Sequence, residues 1–265
     1  MIGIFDSGIG GLTVVKGMMD TLPGYDIVYF GDTARTPYGT KSSRTVIDYC
    51  LQNTEFLLNN GAKMIVMACN TASSVATEAV RASFDIPVYE VVTPAVDLCL
   101  EATKKGIIGV IGTRATIASG IYEKKILEKN PQAKVYCAPC PLLVPLVEEG
   151  WLKKPETKMI VKKYLHPLKV RQIDTLILGC THYPILKNII AGKIGKRVAI
   201  IDSSIAIATR VKAFLEQHPD LDETLAKTNT ARFFVSDITP QFQKTAKGII
   251  GKNLDLEQAE AAAFF

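Results

Sequence analysis

The sequence predicts an α/β protein of two pseudo-symmetric lobes, each a mainly parallel sheet flanked by helices, with its site in the cleft between them. Three observations carry this prediction. Short apolar runs alternate with longer helical patterns along the 265 residues, the arrangement of parallel strands joined by crossover helices. Two of those runs share a plan. Met64-Ile65-Val66-Met67-Ala68 stops at Cys69 and passes at once into Asn70-Thr71-Ala72-Ser73-Ser74, and Leu176-Ile177-Leu178-Gly179 stops at Cys180 before Thr181-His182-Tyr183-Pro184. The two thiols are 111 positions apart (180 − 69), too far for a local motif, and are expected to face each other across the cleft. Finally, Gly106 to Ile111 with the following Gly112-Thr113-Arg114-Ala115-Thr116 echoes the opening strand and loop, so the second lobe reads as a divergent copy of the first.

In chain order, a strand from Ile2 to Phe5 runs into Asp6-Ser7-Gly8-Ile9-Gly10-Gly11 and a helix from about Leu12. That Gly-rich turn exposes N–H groups suited to an anionic group. It lacks the G-x-G-x-x-G spacing of a dinucleotide site, and the carboxylate of a small substrate fits better. A strand from Asp26 to Phe30 ends in the long polar loop from Gly31 to Thr40, again where ligands bind in open α/β sheets. A helix from Ser43 to Asn59 is closed by Gly61. The Cys69 strand, a helix to about Ser83 and a strand from Val88 to Val92 complete the first pass. The chain then crosses at Thr93-Pro94, with a helix to Thr103 and strands from Gly106 to Ile111 and from Lys134 to Cys137. A helix from Thr157 to Leu168, the Cys180 strand, and a strand from Val198 to Ile201 follow. Asp202-Ser203-Ser204 starts a helix to about Gln217 that returns the chain to the first lobe. Pro219 to Thr228 reads as a polar linker, Arg232 to Ser236 as the last strand, and Pro240 to Gly248 as a terminal helix. The Ala-rich tail from Glu257 to Phe265 is expected to be poorly ordered or loosely docked. The lobes are thus residues 1–93 with 207–265, and 94–206.

Hydrophobic content of 48% with 22% charged residues is that of an ordinary globular chain. The net charge of +5 and pI near 8.8 are mildly basic, with Lys and Arg spread along the sequence rather than clustered with aromatics, so no nucleic-acid partner is expected. No apolar run approaches the ~20 residues of a membrane span, and the start, Met1-Ile2-Gly3-Ile4-Phe5-Asp6, is a strand rather than a signal peptide. No membrane association and a cytoplasmic location are expected. In a reducing compartment the six cysteines are free thiols.

A small buried hydrophobe is the commonest fate of a free cysteine, and Cys50 and Cys99, inside helical patterns, read that way. Cys69 and Cys180 differ because each sits at a strand-to-helix junction among hydroxyl and amide donors, where a helix end favours the thiolate and lowers the pKa. Cys137-Ala138-Pro139-Cys140 lacks the further ligands of a zinc site. His182 lies two positions past Cys180, on the same side if the strand continues, and can orient or titrate the thiol. His166 and His218 read as surface residues. Asp6 and Asp32 close strand ends, where capping is the alternative. Glu148 is set among Leu143, Val144, Pro145, Leu146 and Val147, a setting that raises a carboxylate's pKa. Two thiols on opposite sides of a small cleft suit one reaction in particular. One thiolate removes a proton from a carbon acid, the other thiol returns one to the opposite face, and the carbon inverts. No pyridoxal lysine or metal set accompanies them.

These pieces resemble the cofactor-independent aspartate/glutamate racemase family, and glutamate racemases within it. The matching stretches are Phe5 to Val14, Tyr29 to Gly39, Ala68 to Ser73, Val144 to Gly150 and Leu178 to Pro184, in order over nearly the whole chain to about Gly251. The resemblance implies Cys69 and Cys180 as the two catalytic bases, assisted by Asp6, Glu148 and His182. It implies Ser7, Asp32, Pro37, Tyr38, Gly39, Asn70, Thr71 and Thr181 as contacts to the substrate, glutamate, with D-glutamate supplied for peptidoglycan. No metal or cofactor is implied, and a homodimer is. The rivals are an aspartate racemase of the same family, a cysteine hydrolase using Cys180 and His182, and a two-lobed binding protein.

Overall fold

Among residues 1–259, which the computed structural model describes, ten strands form two sheets. The chain opens with β1 (Ile2–Asp6), α1 (Gly11–Thr21), β2 (Ile27–Gly31), α2 (Ser43–Asn59) and β3 (Met64–Met67), then α3 (Asn70–Val75), α4 (Thr77–Ser83) and β4 (Val88–Glu90). It continues with α5 (Val92–Ala102), β5 (Ile107–Gly112), α6 (Arg114–Ala118), α7 (Ile121–Lys129), β6 (Lys134–Pro139), α8 (Leu143–Glu148) and α9 (Pro155–Val170). After β7 (Thr175–Gly179), α10 (Lys187–Ile194) and β8 (Ala199–Asp202), the long α11 (Ser203–Gln217) leads to α12 (Pro219–Thr224), β9 (Ala231–Val235), α13 (Pro240–Ile250) and β10 (Leu256–Gln258).

The first sheet runs β10-β9-β2-β1-β3-β4 and the second β6-β5-β7-β8, with every pairing parallel. The order β2-β1-β3-β4 recurs as β6-β5-β7-β8, so the echo heard in the sequence is a real pseudo-symmetry of topology. In each sheet the strand order reverses beside a central strand, β1 or β5, and the crevice at such a switch point is where open α/β sheets bind ligands. Ser7 and Cys69 leave the paired strands β1 and β3 there, and Thr113 and Cys180 leave the paired strands β5 and β7.

The strands are buried on both faces, as parallel strands between helices must be. In the first sheet, Ile2, Ile4, Tyr29 and Val66 face a core shared with Leu12, Val15 and Met18 of α1 and with Val211 of α11. The alternate residues Phe5, Phe30, Ile65 and Met67 meet Val46 and Leu57 of α2 and Val80 of α4. The second sheet is clad by α8, α9 and α10 on one side and by α5 and α7 on the other.

Several elements differ from the sequence reading. The strand at Val88 stops at Glu90, because the Glu90 carboxylate turns to accept from the Val92 and Thr93 N–H groups and starts α5 there. The helix after Cys69 breaks at Ala76 into α3 and α4. Thr181-Pro184 opens a 3-10 turn over Tyr183–Leu186, and the α-helix begins only at Lys187. Arg114–Lys129, left unassigned in the sequence reading, forms α6 and α7. The supposed linker contains α12, whose Asp222 accepts from the Tyr25 hydroxyl at 2.5 Å, while Asp26 holds the Thr228 and Thr230 N–H groups. Arg232 to Ser236 is not the last strand. Glu257 and Gln258 of the expected loose tail pair in β10 beside β9, and Ala259 is buried. Residues 260–265 lie outside the described residues.

Candidate active site

The two switch points close on one small, nearly filled cavity. Cys69, Asn70 and Thr71 enter from one lobe with Ser7 and the loop Pro37-Tyr38-Gly39. Cys180, Thr181 and His182 enter from the other, with Thr113 and Val144. Both cysteines are buried and free.

Cys69 caps α3, and its sulfur lies 3.6 Å from the Ser7 hydroxyl. The expected lowering of its pKa is overturned. Burial pushes the Cys69 thiol up to about 12 and the Asp6 carboxylate adds to the rise, while the Ala72 N–H and Ser7 hydroxyl oppose it and lose. The physical reason is that α3 is a helix of only six residues, whose weak field is set against nearly complete removal from water. In the resting site Cys69 carries its proton.

Cys180 sits differently. His182 Nδ1 is 3.8 Å from its sulfur and Nε2 is 3.2 Å from Glu148 Oε1. Burial works against a charged His182, but hydrogen bonds and charge from Cys180 and Glu148 outweigh it and raise its pKa to about 10. An imidazolium therefore stands beside the Cys180 sulfur and supplies the counter-charge a thiolate needs. The geometry is not the extended one foreseen. His182 has φ −78° and ψ −27°, and it meets the thiol by folding back in the first step of the turn.

Asp6 is fully buried behind these groups. Its carboxylate accepts from the Gly8 N–H at 3.0 Å and the Thr181 hydroxyl at 3.1 Å. Burial raises its pKa, against the lowering effects of the His182 charge and of those donors. Asp6 thus links the β1 turn of one lobe to the Cys180 turn of the other. Gly10 makes that approach possible, since a Cβ there would meet Thr181 Oγ1 at 2.3 Å and His182 Nδ1 at 2.5 Å.

Glu148 is not sunk among its apolar neighbours as the sequence suggested. Its side chain keeps 30% exposure at the end of α8, facing His182 and the Thr36 hydroxyl, because the helix turns Leu143, Val144 and Val147 inward instead. Asp32 does not line the cavity either. It lies behind Tyr38, accepting from the Tyr38 hydroxyl, from Arg35 Nε at 2.7 Å and from the Ser236 hydroxyl at 3.1 Å. Its geometry is that of a brace for the Pro37-Tyr38-Gly39 loop.

The sequence reading missed several partners. Thr113 Oγ1 is 2.9 Å from Thr71 Oγ1, and Thr116 is 3.2 Å from it, a hydroxyl cluster spanning the lobes. Asn70 is held by the Tyr122 hydroxyl at 2.6 Å and donates to Ser203 at 3.5 Å. Gln241 of α13 donates to the Glu148 carbonyl at 3.0 Å. Thr113 was findable, since it occupies the place after β5 that Ser7 occupies after β1. Cys137 and Cys140 lie apart from the cavity wall, with the Cys140 thiol on the Ala138 carbonyl at 3.6 Å.

The profile of the Asp/Glu/Hydantoin racemase family matches residues 13–211. The chain belongs to that family. A glutamate racemase of Persephonella marina is 49% identical over 259 residues, 98% of this chain and 96% of the relative. Among solved structures, a glutamate racemase isoform of Bacillus anthracis superposes with a TM-score of 0.92 at 36% identity, covering 98% of this chain and 97% of the other. The glutamate racemase of Francisella tularensis, solved in complex with D-glutamate, gives 0.89 at 40% identity, with 98% and 97% covered. The chain is an amino-acid racemase of this family by these measures, and its fold of two parallel-sheet lobes is the family's. Among the described residues no helix is long and apolar enough to cross a membrane.

Proposed function

We propose that this protein interconverts L- and D-glutamate without a cofactor, with Cys69 and Cys180 as the two bases. The observation that carries the reading is the pair of buried thiols entering one small cavity from the two pseudo-symmetric lobes. The cleavage of the Cα–H bond leaves its electron pair on Cα, delocalised into the adjacent carboxylate, and the proton passes to one sulfur. The opposite thiol then gives its proton to the other face of the same carbon. Nothing is gained or lost except configuration. On this reading Ser7, Asn70, Thr71 and Thr181, which line the cavity, bind the carboxylate oxygens and stabilise the charge developing there. His182, held by Glu148, supports the Cys180 side, and Asp6 ties the two sides together. Tyr38 and Gly39, with Pro37 and braced by Asp32, form the remaining wall.

A solved relative that holds D-glutamate and 49% identity to a glutamate racemase favour glutamate over aspartate. A hydrolase would need only Cys180 and leave Cys69 without a purpose. The same reading carries lobe limits of 1–93 with 207–265 and of 94–206, a homodimer, a cytoplasmic location, and D-glutamate supplied to peptidoglycan synthesis. The test is a cofactor-free incubation with L-glutamate in deuterated water, with L-aspartate in parallel. Joint loss of optical rotation and of the α-proton signal with glutamate alone is expected. Activity confined to aspartate, or none with either, contradicts the proposal.

A further inference from the structure

Lys and Arg are less evenly spread than the sequence reading has them, and the fold turns their densest segment outward. Residues 151–171 hold seven basic side chains against the single carboxylate of Glu156, a net +6, while the whole chain carries +5. Lys158, Lys162, Lys163 and Lys169 are all exposed on α9, Lys153 and Lys154 are exposed just before it, and Arg171 just after. Among the described residues none of the seven pairs with a carboxylate. Glu148 and Glu149, close upstream, line the inter-lobe side instead.

The second observation is independent of charge. Among the described residues five large hydrophobic side chains are exposed, and four lie on this same region: Leu142 at 50%, Trp151 at 43%, Met159 at 65% and Val170 at 65%. Met159, Lys163, His166 and Val170 follow one another at helical spacing of four, three and four, so they form one stripe. Trp151 is fixed at the start of α9 by the Thr157 hydroxyl, which donates to its carbonyl at 2.6 Å. Leu142 is set beside the helix by its N–H, which donates to the Tyr164 hydroxyl at 3.4 Å. The opposite stripe of α9, with Val161, Leu165 and Leu168, is buried in the core of the second lobe.

Against the sequence-based expectation of no membrane association, we infer that the outer face of α9, with Trp151 and Leu142, docks onto an anionic lipid surface. Lysines interleaved with exposed apolar side chains match both parts of such a surface: phosphate headgroups for the ammonium groups and the acyl boundary for Trp, Met, Val and Leu. A second copy of the chain fits poorly, because a two-fold contact through this face would press like charges together. Nucleic acid fits less well too. Binding single strands calls for aromatic stacking and phosphate forks favour Arg, whereas this face offers six lysines, one arginine and mainly aliphatic tips. The face is the side of α9 turned away from the core stripe that packs with Cys180, and none of its residues lines the cavity, so docking adds a location to the enzyme.

Trp151 is the only tryptophan in the chain, so the full protein reports on its own docking. Its fluorescence is followed as vesicles of phosphatidylcholine alone, or of phosphatidylcholine and phosphatidylglycerol in equal parts, are added at low salt. Sedimentation with the vesicles measures the bound fraction. The expected result is a blue shift with the anionic vesicles and binding on the order of tenfold tighter than to neutral ones, reversed by about 0.5 M salt. Lys158→Glu with Lys162→Glu and Lys163→Glu abolishes it, and Met159→Ser weakens it, with urea midpoints as the check on folding. Equal binding to both vesicle types, no shift with either, or retention on duplex DNA without retention on lipid overturns the inference. The wild-type comparison alone decides the matter should the triple variant fail to fold.

Discussion

At the scale of single residues, the asymmetry between the two thiols is the main chemical feature. Cys69 is a protonated thiol in a dry setting, while Cys180 has an imidazolium beside it, fastened by Glu148. A charge-assisted hydrogen bond contributes about 1.5–3 kcal/mol, so His182→Asn or Glu148→Gln should lower kcat/KM by roughly 10- to 100-fold. The loss should be greater in the direction in which Cys180 takes the proton. Steady-state rates from each enantiomer check this, and an unchanged pair of rates contradicts it. The same groups set a pH dependence of stability. His182 has a folded pKa of about 10, above the ~6.5 of an unfolded chain. Its contribution is therefore complete below about 6.5 and is lost as pH rises through about 10. Cys69, raised to about 12, acts in the same direction at higher pH. Urea midpoints should fall steadily between about pH 7 and 11, and His182→Asn should flatten the first part of that decline. The presence of both thiols was legible because a strand ending in cysteine occurs twice. The protonated state of Cys69 was not, because burial depends on how tightly two distant lobes close, and no local pattern records that.

At the scale of elements, caps decide where the chain turns toward the cavity. Asp202 ends β8 and begins α11, accepting from the Ser204 N–H at 3.0 Å and the Ser204 hydroxyl at 2.6 Å. Asp202→Ala should cost about 0.5–2 kcal/mol, read as a shift in the urea midpoint at unchanged slope. This boundary, and that of α2 behind its Ser42 cap, could be read from sequence because the caps are local. Glu90 could not, since a glutamate that ends a strand and then caps the next helix looks like a continuing strand. β10 was hidden for another reason. Leu256-Glu257-Gln258 has little strand character of its own and is held by parallel pairing with Phe233, Phe234 and Val235.

At the scale of the whole molecule, one arrangement of four strands is used twice and the site is what lies between the copies. Gly39 in one lobe faces Thr113 in the other so closely that a Cβ would meet Thr113 Cβ at 2.5 Å. Gly39→Ala should hold the lobes apart, raising KM about tenfold or more while the folded state stays intact by circular dichroism. An unaltered KM would show that the lobes do not need this approach. The two-lobe plan was legible from alternation and from the echo at Gly106, whereas the basic face of α9 was not. Its basic residues lie together within residues 151–171, but that they stand beside exposed Met159 and Val170 on a helix whose other side is core shows only in the fold.

The central claim is that Cys69 and Cys180 serve opposite faces of one carbon. Its most direct test follows α-proton exchange and inversion together, for L- and D-glutamate in deuterated water, with the Cys69→Ser and Cys180→Ser variants. Inversion should fall on the order of 10²- to 10⁴-fold in both, with exchange surviving for one enantiomer in each variant and for opposite enantiomers in the two. Inversion at the wild-type rate in either variant would contradict the account.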